Sequence, residues 1–297
     1  MDYEDSQYKT DFWVGQGREY EDATERLALK RLMPPAGLRI AEIGAGFGRL
    51  ADQYLGYEQI ILFDYSRTLL RDAAERWAHD PRFVIVAGNI YELPLASHIL
   101  DTLVMVRVMH HLADVPAALA QLRRVLHSRS LAVIEYANKR NLKSLLRWAL
   151  HKQSWSPLDE EPVEFVALNF DFHPAWMDAQ FKQAGLAVQK QFAVSHFRQG
   201  ALKRRVAADR LAHLDAAIFG VGGRYPLAPS VFVQALAPDT GPPAQVGVTQ
   251  GELAGLFRCP TSGSETFERL DKDLIYCPES GFRYARKQGV WDFKEPV

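Results

Sequence analysis

Glu42-Ile43-Gly44-Ala45-Gly46-Phe47-Gly48 closes an apolar run that begins at Leu38, and its spacing decides the fold. An apolar strand ending in acid-x-Gly-x-Gly-x-Gly predicts a tight turn whose backbone approaches a ligand that a Cβ would exclude. The turn is expected to open a helix, with unpaired N–H groups and a positive dipole end facing that ligand. A dinucleotide fingerprint would read Gly-x-Gly-x-x-Gly. Here the third glycine comes one residue early, and Arg49 takes the place of the last. An acid two residues before the first glycine suits an ammonium-bearing ligand better than a pyrophosphate. No hydride-transfer constellation accompanies the turn, which argues against a nicotinamide enzyme.

Downstream, Ile60-Ile61-Leu62-Phe63-Asp64 predicts a short buried strand ending in a carboxylate. An acid roughly 20 residues after a glycine turn is placed to accept from ribose hydroxyls. Asp64 can do so, or it can serve the turn into the next helix (Arg67 to Ala78); the two roles are compatible. Tyr65 can pack against an adenine. A third strand (Arg82 to Val86) leads into Ala87-Gly88-Asn89-Ile90, and a fourth runs from Leu100 into Arg107-Val108-Met109-His110-His111. Its near-continuous apolar run fits a strand buried on both faces of a parallel sheet. A helix (Val115 to Leu126) and a fifth strand (Ser130 to Tyr136) follow, so β and α elements alternate as in a doubly wound α/β domain.

Taken together, Leu38 to Ala137 resembles the class I S-adenosylmethionine-dependent methyltransferases, and the Arg107-to-His111 tail resembles their small-molecule branch. The resemblance implies a Rossmann-like seven-stranded, mostly parallel sheet with helices on both faces. It implies S-adenosylmethionine as cofactor, bound by Glu42, Gly44, Ala45, Gly46, Gly48, Asp64, Tyr65, Asn89, Ile90 and Arg107. Asn89 stands where the family usually has an acid; its amide oxygen can still accept from the adenine amino group. His110 and His111, at the C-terminal end of the fourth strand, are the catalytic candidates: imidazole titrates near neutrality and can act as a base. Either can instead be packed in the strand end. Glu135 is a further candidate with the same alternative.

The chain has 297 residues, 47% hydrophobic and 24% charged, enough for one large domain and a small one. A net charge of −1 supplies no field toward nucleic acid or anionic lipid. Lacking a spanning apolar run and a secretory leader, the sequence predicts a cytoplasmic protein without membrane contact.

The expected division is a methyltransferase domain over 1–237, a linker over 238–250 and a tail domain over 251–297. Residues 1–36 form an N-terminal lid. Tyr3, Tyr8, Phe12, Trp13 and Tyr20 are aromatic candidates for surrounding a sulfonium or simply for packing, and Arg18 with Tyr20 can touch the methionine carboxylate. Lys139, Lys143 and Arg147 form a basic ladder at four-residue spacing that grips phosphates or is merely solvated. Between Trp155 and Pro174 the α/β rhythm breaks. Asn169, Asp171 and His173 would share one face of an extended strand and line an acceptor pocket; alternatively His173 starts the next helix. A long helix (Leu202 to Phe219) is expected to split the last two strands.

In the tail, Cys259-Pro260-Thr261-Ser262-Gly263 recurs as Cys277-Pro278-Glu279-Ser280-Gly281. This resembles a zinc ribbon whose two knuckles have each exchanged the second cysteine for serine. Four tetrahedral ligands are needed and two thiolates remain, so a metal-free ribbon is expected. The tail is free to contact a protein partner or a second subunit. The expected activity is methyl transfer to a small molecule. RNA methylation and a non-catalytic cofactor-binding adaptor are the alternatives, with nucleic acid disfavoured by the neutral charge.

Overall fold

Five aliphatic runs pair in parallel at the centre of the computed structural model, which describes residues 17–297. They are β1 (Gly37–Ile43), β2 (Tyr57–Asp64), β3 (Phe83–Ala87), β4 (Leu100–Met105) and β5 (Leu126–Ala137). The order β3-β2-β1-β4-β5 places the switch in winding direction between β1 and β4. The hairpin β6 (Val163–Val166) and β7 (Asn169–Asp171) stands outside this sheet. Beyond β5 lie antiparallel β9 (Ser230–Leu236) and then β8 (Ala187–Val194), completing the expected seven strands.

Period-2 alternation gives the sheet two cores. Ala41, Ile43, Ile61 and Phe63 pack on one face with α3 (Val115–Val125) and α5 (Pro174–Gln183). Ile40, Ile60 and Leu62 pack on the other with α1 (Glu19–Leu32), α2 (Arg67–Trp77) and α7 (Ala208–Arg224). Helix starts follow local chemistry: the Ser66 hydroxyl accepts from Leu69 N–H at the head of α2, and the Asp114 carboxylate from Ala117 N–H at the head of α3. The helix expected between β8 and β9 is two, α6 (Gly200–Lys203) and α7.

Three further expectations are corrected. The turn after β1 opens no α-helix. Residues 44–56 span only thirteen positions between β1 and β2, and they hold turns and a four-residue 3-10 segment, Ala51–Tyr54. A helix dipole therefore makes no contribution there. The basic ladder is broken: Lys139 lies outside α4 (Leu142–Ala149), buried, its Nζ donating to the carbonyls of Asp159 and Glu161 at 2.9 and 2.6 Å. Finally, Leu142, Leu145, Leu146 and Ala149 fall at helical spacing and predict a buried apolar face, but α4 turns Leu142 and Leu146 to solvent and buries only Ser144.

The C-terminal strands continue the main sheet. They are β10 (Glu268–Arg269), β11 (Leu274–Tyr276), β12 (Arg283–Lys287) and β13 (Val290–Asp292), and β13 lies parallel to β3, pairing Trp291 with Val86. Phe257, Trp291 and Phe293 join the α3/α5 core, each burial worth roughly 2 kcal/mol. Arg39, buried in β1, holds the preceding segment down by donating from Nη2 to the carbonyls of Val246 and Gly247 at 3.1 and 3.0 Å. Gly263 and Gly281 both adopt left-handed φ, and their N–H groups donate to Cys259 and Cys277 carbonyls at 2.9 Å, so the two knuckles share one turn. Inside them Cys259 Sγ donates to Ser280 Oγ at 3.3 Å, while Ser262 Oγ and Cys277 Sγ lie 3.6 Å apart. Among the described residues no three His, Cys, Asp or Glu side chains are grouped as a metal set, so the ribbon resemblance gains no support from a metal site.

Candidate cofactor and active site

A cavity of about 380 Å³ opens at the C-terminal ends of the parallel strands, across the β1/β4 switch point. Open α/β sheets bind ligands at that place. Its floor is the turn after β1. Gly44, Gly46 and Gly48 all have positive φ, at 80°, 53° and 70°. A Cβ on Gly44 would lie 2.0 Å from Val108 Cγ2, so the turns after β1 and β4 could not approach as they do. A Cβ on Gly46 would meet only Leu69 Cδ1, at 3.8 Å, with the cavity beyond.

Asp64 fixes that floor. Its Oδ2 accepts from Gly46 N–H at 2.7 Å and its Oδ1 from Ser66 N–H at 2.9 Å. Burial pushes its carboxyl above the ordinary range while those N–H bonds pull the other way. The two readings of Asp64 thus coexist: the carboxylate serves the turn and lines the cavity. Tyr65 lines the same wall, 42% exposed. Asn89 and Ile90 also line the cavity; Asn89 Oδ1 accepts from Tyr91 N–H at 3.1 Å, so the amide oxygen already has one local donor.

Glu42 lies at the base of the cavity, only 3% exposed. Its Oε2 has no hydrogen-bond partner among the described residues. Burial, only partly offset by Arg49, raises its carboxyl to about 8. The buried Tyr54 hydroxyl beside it also works to lower that carboxyl, but neither group completes a well-formed bond to the other. A buried, under-satisfied carboxyl lining a cavity fits a ligand that brings an ammonium.

Arg49 and Arg107 line the cavity and are held from α1 by one carboxylate. Glu25 accepts from Arg49 Nη2 at 2.7 Å and from Arg107 Nε at 2.8 Å. Burial works to raise the Glu25 carboxyl, but Arg107 and then Arg49 overcome it and hold it below the usual range. Arg107 itself has φ of 61°, an uncommon conformation outside glycine. Glu135 fixes it: Oε2 accepts from Arg107 N–H at 2.8 Å, and Oε1 accepts from the Ser230 hydroxyl. With both oxygens engaged and no place in the cavity lining, Glu135 is a positioning residue. Glu25 is a side chain at this site that sequence reasoning missed, since no local pattern marks it out from its neighbours in α1.

The two histidines divide. His111 lines the cavity beside Leu112 and Leu168, and its Nδ1 is 3.0 Å from the Leu168 carbonyl. That bond places the proton on Nδ1 and makes Nε2 the basic nitrogen. Burial lowers its pKa, with the Leu168 carbonyl opposing. His110 lies outside the lining, its ring centroid 4.0 Å from that of His111. Burial, then His111, depresses it to about 3, so it is neutral throughout the physiological range.

Gly48 lies outside the lining, its virtual Cβ 3.1 Å from Trp77. Asn169, Asp171 and His173 are not brought to the cavity either. His173 caps α5, its Nδ1 accepting from Ala175 N–H at 3.2 Å, as the alternative reading has it. Asn169 and Asp171 sit on β7; burial raises the Asp171 carboxyl to about 6. Of the N-terminal aromatics, Tyr3, Tyr8, Phe12 and Trp13 lie outside the described residues. Tyr20 donates to Asp215 Oδ2 at 3.0 Å in a buried network that ties α1 to α7. Arg18 stands at the head of α1, away from the main cavity.

Comparison with known proteins agrees with the fold. Residues 41–134 match the family model described as a methyltransferase domain. Two curated relatives, each named "Probable S-adenosylmethionine-dependent methyltransferase" and each from a strain of Mycobacterium tuberculosis, are 29% identical over 116 residues. The match covers 38% of this chain and 41% of theirs, so the chain spans about two-fifths of their length. Among solved structures, a Haloferax volcanii complex of the Trm112 methyltransferase activator with a methyltransferase aligns at TM-score 0.54 and 18% identity, over 78% of this chain and 98% of that one. An S-adenosylmethionine dependent methyltransferase from Mesorhizobium loti aligns at TM-score 0.53 and 17% identity, over 73% and 99%. At such identities the likeness is one of fold.

Proposed function

We propose that this chain, whose residues 41–134 form a class I S-adenosylmethionine-dependent methyltransferase domain, is an enzyme that methylates a small-molecule acceptor. The observation that carries the cofactor reading is the pairing of a buried Glu42 carboxyl, whose Oε2 has no well-formed hydrogen bond among the described residues, with a glycine cradle pinned by Asp64, both lining one cavity. Glu42 would take the ammonium, Asp64 the ribose hydroxyls, and Tyr65, Asn89 and Ile90 the adenine.

When bound, S-adenosylmethionine supplies an already electrophilic methyl group, so the chain's task is placement in a dry pocket. Arg107, locked by Glu25 and Glu135, keeps the β4 turn in place against the glycine turn. His111 Nε2 would accept a proton from a hydroxyl, amine or acidic carbon entering past Leu168. A cavity of about 380 Å³ is near the lower end for ligand pockets, with space for one nucleoside-sized molecule. The net charge of −1 supplies no field toward nucleic acid, which favours a small-molecule acceptor. Among the described residues no helix is long and apolar enough to cross a membrane.

Transfer of label from methyl-labelled S-adenosylmethionine into a metabolite extract, compared with total RNA, tests the acceptor class. Label confined to RNA would overturn it, and tight binding with label in neither pool would leave an adaptor.

A further inference from the structure

The last strand of the chain reaches the adenosine half of the cavity wall from outside. Asp292, at the end of β13, pairs with Ala87, and Phe293 N–H donates to the Ala87 carbonyl at 2.9 Å. Ala87 immediately precedes the lining residues Gly88, Asn89 and Ile90. Asp292 also accepts from Arg67 Nε at 2.8 Å, at the first turn of α2 and three residues beyond Asp64. Glu295 adds a second carboxylate 3.5 Å from Arg67 Nη2. Between these two anchors, Lys294 Nζ stands 3.8 Å from the centroid of the Tyr65 ring. Lys294 N–H donates to Asp292 Oδ1 at 3.0 Å, which sets the residue's backbone against the same carboxylate.

Tyr65 lines the cavity and Lys294 does not. The ammonium therefore backs the aromatic wall without entering the space a ligand would take. A half-exposed tyrosine has rotamer freedom that binding would otherwise have to remove, and an ammonium over its face restricts it beforehand. The same charge lies close enough to Asp64 to favour its ionised form, the form that accepts from ribose hydroxyls.

From this geometry we propose that the C-terminal strand is a clasp on the cofactor site, and that Lys294 is a positioning residue that holds Tyr65 ready for the adenosine half of S-adenosylmethionine. This rests on the cofactor reading above and adds to it a residue more than 200 positions from the glycine turn. The clasp acts through Tyr65, so it should affect every ligand that carries adenosine and leave the methyl-transfer step alone.

Calorimetric titration of full-length wild type, Lys294→Met and Lys294→Arg is the test. The probes are S-adenosylmethionine, S-adenosylhomocysteine and 5′-methylthioadenosine, with melting temperatures measured alongside. Methionine keeps the length and apolar stem of lysine and loses the charge. Lys294→Met should weaken all three ligands about fivefold, with KM for the cofactor rising in parallel and kcat unchanged. Lys294→Arg should restore binding, since guanidinium also stacks on aromatic faces. Lys294→Met titrating like wild type, or both variants losing affinity alike, would overturn the clasp while leaving the cofactor assignment standing. Wild type that binds none of the three probes would overturn the cofactor assignment and the clasp with it.

Discussion

Replacing Glu42 with glutamine should make cofactor affinity indifferent to pH. With burial raising the Glu42 carboxyl to about 8, about a tenth of the free protein is ionised there at pH 7 and about a hundredth at pH 6. An ammonium-bearing ligand favours the ionised form, so the wild type should bind about tenfold more tightly at pH 7 than at pH 6. It should release about 0.9 proton per ligand at pH 7. An α-ammonium stays largely charged over that interval, so the ligand does not blur the slope. Glutamine keeps the shape and removes the titration; Glu42→Gln should show neither the slope nor the proton release. Calorimetry in buffers of differing ionisation enthalpy measures both. The stability of the free protein gives the control. Because the folded carboxyl lies above its unfolded value of 4.5, its contribution is complete below that value and is lost as pH rises through about 8. Glu42→Gln should therefore melt no lower than wild type at pH 8. Equal slopes in the two proteins, or no proton release from either, would refute the assignment of Glu42 to the ammonium.

Asp64→Ala removes the acceptor of the Gly46 and Ser66 N–H groups as well as the ribose contact, and should cost at least tenfold in cofactor affinity and about 1–3 kcal/mol of stability; calorimetry and denaturant titration measure the two. His111→Asn should lower kcat by about a hundredfold and leave cofactor affinity intact, whereas His110→Asn should leave kcat near wild type; steady-state kinetics with an identified acceptor separates them. Joint Ser262→Cys and Ser280→Cys exchange puts four thiolates on the two matched knuckle turns, and elemental analysis should then find one zinc per chain.

The glycine turn, Asp64, Tyr65 and the β/α alternation were legible because each is written locally: a glycine where φ is positive, an acid at a strand end, an apolar run of strand length. The two histidines were expected at the end of the fourth strand; the strand stops at Met105 and both lie on the 3-10 turn Met109–His111 that follows it. The length of the β1–β2 connection is readable from spacing, but not that its thirteen residues fold as turns and a 3-10 segment rather than an α-helix. The split between His110 and His111 depends on the Leu168 carbonyl, supplied from the distant β6–β7 hairpin. Glu25 reaches Arg107 across 82 positions, a pairing with no local trace. The polar alternation at Asn169, Asp171 and His173 is real, but His173 is taken up by the α5 cap and β7 pairs in a hairpin outside the main sheet.

Placing β13 alongside β3 also removes a hazard of open sheets. A strand at the rim of a parallel sheet presents unpaired N–H and C=O groups, a template on which another chain can polymerise or dock by strand addition. In this chain the rim is moved outward to β10, which is two residues long and charged, Glu268–Arg269. Any foreign strand seeking β3 would first have to displace Val290–Asp292 and take Trp291 out of its buried seat. The chain thereby settles internally which neighbour its methyltransferase sheet accepts on that side.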